Sequence, residues 1–230
     1  MHKATLLALL LLSSMVAGSA LARAPDTFEE EYAAPIEIAS PMWFAFELKL
    51  GPFRPNFPGF KSLFQDDRGW LLSTELDVTA WHIPYVGQLN AGFGWGWANY
   101  DAKSIMVPGG TRVGEEAEYT TYPMSALAVL RIDALARYTI IPVTFAAKIG
   151  MDMVRWKMSK GGEGQDDGLN FGLRWGAQAA IELDIIDRKA TRRLDDDFGI
   201  NHSFLLFEYF GSETESAGGR AFQFGIGLQF

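Results

Sequence analysis

At the end of this chain Phe222, Phe224, Ile226, Leu228 and Phe230 alternate with Gln223, Gly225, Gly227 and Gln229. Successive side chains of a strand point to opposite faces, so this segment has one wholly apolar face and one small or polar face. The same sorting places Phe44, Phe46, Leu48 and Leu50 against Ala45, Glu47 and Lys49, and Leu72, Leu76, Val78 and Ala80 against Ser73, Glu75, Asp77 and Thr79. Leu89, Ala91, Phe93, Trp95 and Trp97 oppose Asn90, Gly92, Gly94 and Gly96, and Val143, Phe145, Ala147, Ile149 and Met151 oppose Thr144, Ala146, Lys148, Gly150 and Asp152. From Phe171 to Asp184, Leu173, Trp175, Ala177, Ala179, Ile181 and Leu183 oppose Arg174, Gly176, Gln178, Glu182 and Asp184. Two segments are less regular: Leu127 and Val129 share a face with Arg131 and Asp133, and residues 203–210 are apolar on both faces apart from Glu208.

Eight such segments, each of about ten residues, match the length of a tilted strand that crosses a bilayer. The fold expected is all-β: an eight-stranded antiparallel transmembrane up-and-down β-barrel with both termini periplasmic, since an even strand count returns both ends to one side. A mean hydropathy of +0.02 and the lack of a long apolar run beyond the N-terminus exclude a helical bundle but not a barrel, whose alternating strands average to neutral. The formal charge of -8 and the absence of cysteine exclude a nucleic-acid partner and a disulfide scaffold. Connections at 51–69, 101–120, 157–168 and 211–219 read as long outer loops, and 83–88 and 134–141 as short turns. The charged stretch 185–200 reads as one or two helical turns ending at Gly199.

The first 22 residues have the form of a signal peptide: Lys3 near the start, an apolar run from Ala4 to Leu12, and Ala20-Leu21-Ala22 before the expected cut. Residues 23–41 form an acidic, proline-punctuated segment, and residues 42–230 the barrel. Export to the bacterial outer membrane follows.

The inward face carries an expected lumen charge network: Glu47, Lys49, Glu75, Asp77, Arg131, Asp133, Lys148, Asp152, Arg174, Glu182, Asp184 and Glu208. An eight-stranded barrel is just wide enough inside for side chains, so these groups should pair and fill it, because an unpaired buried charge is costly. Glycines 92, 94, 96, 225 and 227 would make room for the long arginines, or else leave a narrow cavity for a small apolar molecule. No enzymatic activity, cofactor or metal site is expected. His82 and His202 sit at the periplasmic strand ends, and His202 and Ser203, being adjacent, should point to opposite faces and so cannot act as base and nucleophile.

These segments resemble small outer-membrane barrels of the OmpA, OmpX and OmpW kind. The resemblance covers roughly residues 42–230, and Phe222, Phe224, Ile226, Leu228 and Phe230 are similar to the terminal signal read by the outer-membrane assembly machinery. Gly51-Pro52-Phe53-Arg54-Pro55-Asn56 and residues 199–208 resemble, more narrowly, an uncharacterised myxobacterial family of outer-membrane barrels. The resemblance implies a non-enzymatic structural or interaction role with contact loops at 51–69 and 101–120, and outer-membrane lipid, lipopolysaccharide and the assembly machinery as partners. The likeness to OmpW implies an alternative, a narrow conduit or binder for a small apolar molecule. A soluble lipocalin-like barrel is a third reading, which requires a polar outer face.

Overall fold

The computed structural model describes residues 42–56, 60, 64, 69–103, 116–160, 163–184, 186, 188–215 and 217–230. The expected signal peptide and acidic segment lie outside them. The strands are β1 (Phe44–Pro55), β2 (Gly69–Ile83), β3 (Gly87–Lys103), β4 (Glu116–Ile132), β5 (Val143–Lys160), β6 (Glu163–Glu182), β7 (His202–Thr214) and β8 (Gly219–Gln229). Helix α1 (Ala134–Tyr138) follows β4, and α2 (Arg188–Phe198) follows β6. Each strand pairs antiparallel with its sequence neighbours, and β1 pairs with β8, giving a closed eight-stranded up-and-down barrel. Closure leaves no free edge strand.

The seam between first and last strands is tied at its lower end, where Phe44 N–H donates to Phe230 O at 2.7 Å and Phe230 N–H to Phe44 O at 2.9 Å. We call this the terminal end, and the opposite rim the far end. Burial alternates along the strands in the sense opposite to a water-soluble core. On β1, Phe44 and Phe46 are exposed while Ala45, Glu47 and Lys49 are buried. A bulge between Thr79 and Trp81 skips Ala80 in the ladder and brings Trp81 onto the outward face with Val78.

The strands run further at the far end than the apolar alternation indicates. β5 and β6 are separated only by residues 161 and 162, and the ladder continues through Trp156↔Gly168 and Met158↔Asp166, so 157–168 is strand and not loop. Beyond the apolar band both faces can be polar, and the period-two pattern fades although the backbone pairing persists. Likewise 211–219 is mostly strand, with β7 reaching Thr214. Helix α2 is longer than one or two turns, and it ends where expected: Gly199 adopts a left-handed φ of 68°, and the Gly199 and Ile200 N–H groups close back on Asp195 O and Leu194 O at 2.8 and 3.1 Å.

Gly225 lies at the β1–β8 seam, where a Cβ would stand 2.1 Å from Leu48 O and 2.8 Å from the Lys49 Cα. Both are backbone atoms that cannot yield without moving the strand. Gly225→Val should therefore prevent closure, and the unboiled protein should lose the fast-migrating, SDS-resistant band expected of a closed transmembrane barrel.

Candidate functional site

Three strata fill the barrel interior. In the middle, the Lys49 ammonium on β1 donates to Glu47 at 3.0 Å, Glu75 at 2.6 Å and Glu208 at 2.5 Å. Across the lumen, Lys148 on β5 donates to the same three carboxylates at 2.8, 2.6 and 3.0 Å. An ammonium has three protons, so each lysine's donors are fully used. Arg131 joins Glu47 at 3.0 Å to Asp77 at 3.3 Å, and Gln178 adds a further donor to Glu47 at 3.0 Å. Arg174 lies 3.7 Å from Asp152 and 4.0 Å from Glu208, with its guanidinium 4.1 Å above the Phe210 ring. Four cations thus face five carboxylates within one buried cluster.

Strands β3 and β8 contribute no charge to this cluster. At its level they carry Gly92, Gly94 and Gly96, and Gly225 and Gly227. A Cβ on Gly92 would come within 2.6 Å of the Asp77 carboxylate, and one on Gly94 within 2.4 Å of the Ser125 hydroxyl. Gly92 and Gly94 therefore make room for short polar side chains of the neighbouring strands and Gly96 for Leu71 and Pro123, and no arginine is among the nearest neighbours of any of the three. The cavity beside the cluster, lined in part by Lys49, Ser73, Glu75, Ser125 and Arg174, has a volume of about 10 Å³, the space of about one water molecule.

Toward the far end lies an aromatic stratum. Phe53, Leu71, Tyr100, Tyr119 and Phe210 pack with Phe60 and Phe64, two helical residues of the connection between β1 and β2. Phe60 and Phe64 stack at 4.9 Å, Phe60 meets Tyr100 edge-on at 5.3 Å, and the Tyr100 hydroxyl donates to Phe53 O at 2.9 Å. Phe60 and Phe64 are each only 2% exposed, so the expectation that 51–69 is wholly a contact loop is corrected: part of it turns inward and covers the barrel mouth. Toward the terminal end the stratum is of amides, where Gln229 donates to Gln88 at 3.0 Å and Thr79 approaches Gln88 at 3.5 Å.

Of the residues expected in the lumen network, Glu47, Lys49, Glu75, Asp77, Arg131, Lys148, Asp152, Arg174 and Glu208 come together, and three do not. Asp133 lies past the end of β4, where it starts α1 and pairs with Arg137 at 2.7 Å; the one-turn helix draws it out of the strand's alternation. Glu182 and Asp184 sit at the terminal rim against His202, whose Nδ1 lies 2.8 Å from Glu182 and 2.6 Å from Asp184. Ser203 also reaches Asp184, through its N–H and its hydroxyl, each at 3.1 Å. His202 and Ser203 thus converge on one carboxylate instead of diverging, because the alternation relaxes where the strand begins. Partial burial pushes the Asp184 carboxyl up, but the hydrogen bonds from His202 and Ser203 outweigh it and hold the group below the usual carboxylate range. The expected assembly residues Phe222, Phe224 and Ile226 face outward and exposed, Leu228 is half-buried, and the Phe230 ring stacks on Phe44 at 6.0 Å. Gln178 was not expected in the network. It carries no charge, and only its inward parity with Arg174 on β6 signals it.

Breaking a buried ion pair by removing one partner costs about 3–5 kcal/mol, because the other charge stays buried. Lys148→Met should therefore destabilise the barrel by about that amount in urea unfolding followed by tryptophan fluorescence in micelles. The double variant Lys148→Met/Glu208→Leu should lose clearly less than the sum of its two single variants.

No protein-family model matches this chain, and no curated protein sequence matches it. Among solved structures it is similar to Ail, the attachment invasion locus protein of Yersinia pestis, at 12% identity over 82% of this chain and 97% of Ail, with a TM-score of 0.44. The complex of Ail with the heparin analogue sucrose octasulfate gives 11% identity, the same coverage and a TM-score of 0.44. Neisserial surface protein A gives 11% identity, 82% and 97% coverage and a TM-score of 0.43.

Proposed function

We propose that this chain is an exported, integral outer-membrane protein whose barrel is a closed, non-enzymatic scaffold. The observation that carries the reading is the inversion of the barrel, with charge inside and apolar side chains outside. Phe93, Ile149, Met151, Phe171 and Phe222 are each 57–69% exposed, and together with Phe44, Leu76, Val78, Phe145, Phe207 and Phe224 they form an uncovered band around the sheet. In water so large an apolar surface would drive aggregation; in hydrocarbon it is the natural solvent contact.

The dimensions agree with a bilayer. Exposed Trp70 and Trp81 lie eleven residues apart on β2, about 26 Å along the barrel axis at a rise of about 3.3 Å per residue and a tilt of about 45°. Amphipathic rings favour the membrane boundary, and Trp43, Trp81, Tyr85 and Tyr138 crowd the terminal end. Short turns at that end, such as Pro84–Val86, and long hairpins opposite support a periplasmic location for both termini. The partners in this reading are outer-membrane lipid, lipopolysaccharide on the far side, and the assembly machinery that would read the apolar face of β8.

The three strata argue for a scaffold and against a conduit. A permeating solute would have to displace the aromatic stratum and then separate lysines from carboxylates with all their protons committed. The role therefore rests with the connections at the far end.

Membrane fractionation of an expressing Gram-negative cell should recover the protein in the outer membrane, with a gel-mobility shift on boiling. The purified barrel should give no conductance steps in planar bilayers. Recovery in the soluble periplasm without a shift would refute the membrane reading, and stable conductance would refute the closed lumen.

A further inference from the structure

Outside the lumen, the described residues hold one other cluster of metal-ligating side chains, Glu182, Asp184 and His202 at the terminal rim. We propose that it binds a divalent transition-metal ion of the zinc type. One donor atom from each side chain lies within 4.8 Å of the others: the Nδ1 of His202 is 2.8 Å from Glu182 Oε1 and 2.6 Å from Asp184 Oδ2. A ring nitrogen carries at most one proton, and here it is aimed at two carboxylate oxygens, so a hydrogen bond satisfies only one of them well. A cation at their centre would satisfy both.

The charge of the cluster points the same way. In the lumen, the comparable group of Glu47, Glu75 and Asp77 is neutralised by Lys49, Lys148 and Arg131. Among the described ion pairs, no lysine or arginine joins Glu182 or Asp184; each meets only His202. Two carboxylates around one imidazole leave the cluster net negative even with the ring protonated, as its bonds to Asp184 and Glu182 favour. One nitrogen with two oxygens is a donor set that divalent ions accept with an open fourth position, the ring giving up its proton on binding.

The ligands are also held in place. Glu182 ends β6, Asp184 follows it, and His202 opens the adjacent β7. The two strands are laced by Glu182↔Phe204 pairing and by Leu183 N–H to Ser203 O at 2.9 Å. Ser203 occupies Asp184 Oδ1 with two hydrogen bonds and leaves Oδ2 turned to the histidine, the arrangement by which outer groups orient a metal-binding carboxylate. The three side chains are 17%, 12% and 35% exposed, so an ion could enter without unfolding the rim. Tetrahedral ligands at about 2.0–2.1 Å from zinc stand about 3.3 Å apart, so binding requires the His202 Nδ1, now 2.8 and 2.6 Å from the two oxygens, to separate from each by less than about 1 Å.

The test is titration of the folded full-length protein in detergent micelles with zinc by calorimetry, and with cobalt(II) by its visible absorption. The expected result is one zinc per chain and tetrahedral cobalt bands. His202→Ala and Glu182→Gln should abolish the bands and weaken zinc binding by well over tenfold, and Ser203→Ala should weaken it by about tenfold. His82→Ala, at the exposed histidine that packs against Trp43, should change neither. The boiling shift in gels reports that each variant is folded. Wild-type protein that binds no zinc, or a folded His202→Ala that binds it as wild type does, would overturn the proposal and leave the cluster a plain ion pair. Either result leaves the membrane reading untouched.

Discussion

Two ammonium groups sharing the same three carboxylates form the contact on which the rest of this barrel depends. Lys49 and Lys148 reach Glu47, Glu75 and Glu208 from opposite walls, and the small diameter of an eight-stranded sheet is what lets side chains from opposite walls meet. The arrangement in turn dictates what neighbouring strands can carry. β1, β2, β4, β5, β6 and β7 supply the charged groups, while β3 and β8 carry glycine at that level, Gly92 against Asp77, Gly94 against Ser125, Gly225 against the Leu48 backbone and Gly227 against Leu206. The charged side chains of these strands are gathered inside, and the outward face between the rims is left to apolar ones.

Much of this was legible in the sequence, because a barrel with a charged interior and an apolar outer face imposes a strict alternation on what each strand may present. Phe44-Ala45-Phe46-Glu47 and Phe222-Gln223-Phe224-Gly225 could belong to few structures other than a sheet with lipid on one side. The rule also explains the errors. It lapses beyond the apolar band, so residues 157–168 read as loop although their backbone stays paired, and Asp133, Glu182 and Asp184 read as lumen residues although they lie at the strand ends. Phe60 and Phe64 follow no period of two. Their spacing of four is a helical signal, but nothing in it says that the connection folds back over the barrel mouth. Even the charge network could be listed by parity without its pairing being apparent, since which lysine meets which glutamate depends on strand stagger.

Two solutions to buried negative charge coexist in one small sheet. In the lumen, carboxylates are held by lysine and arginine in a cluster that excludes all but about one water-sized space. At the rim, Glu182 and Asp184 face a single imidazole in a half-open setting. The first arrangement is permanent, because separating any pair would strand charges in a dry interior. The second is partly open to solvent, with His202 35% exposed.

The wide sequence spacing of the lumen contacts bears on how such a wall can enter a bilayer. Glu47 on the first strand bonds to Arg131 on the fourth, Lys148 on the fifth and Gln178 on the sixth. An open sheet of three strands in hydrocarbon would expose Glu47 and Glu75 with most of their partners still to come. In the membrane reading, such a partial sheet in lipid would carry the cost of unpaired buried charge, several kcal/mol for each group. In that reading, a wall whose charges pair only across six strands meets lipid at lowest cost once those strands have come together.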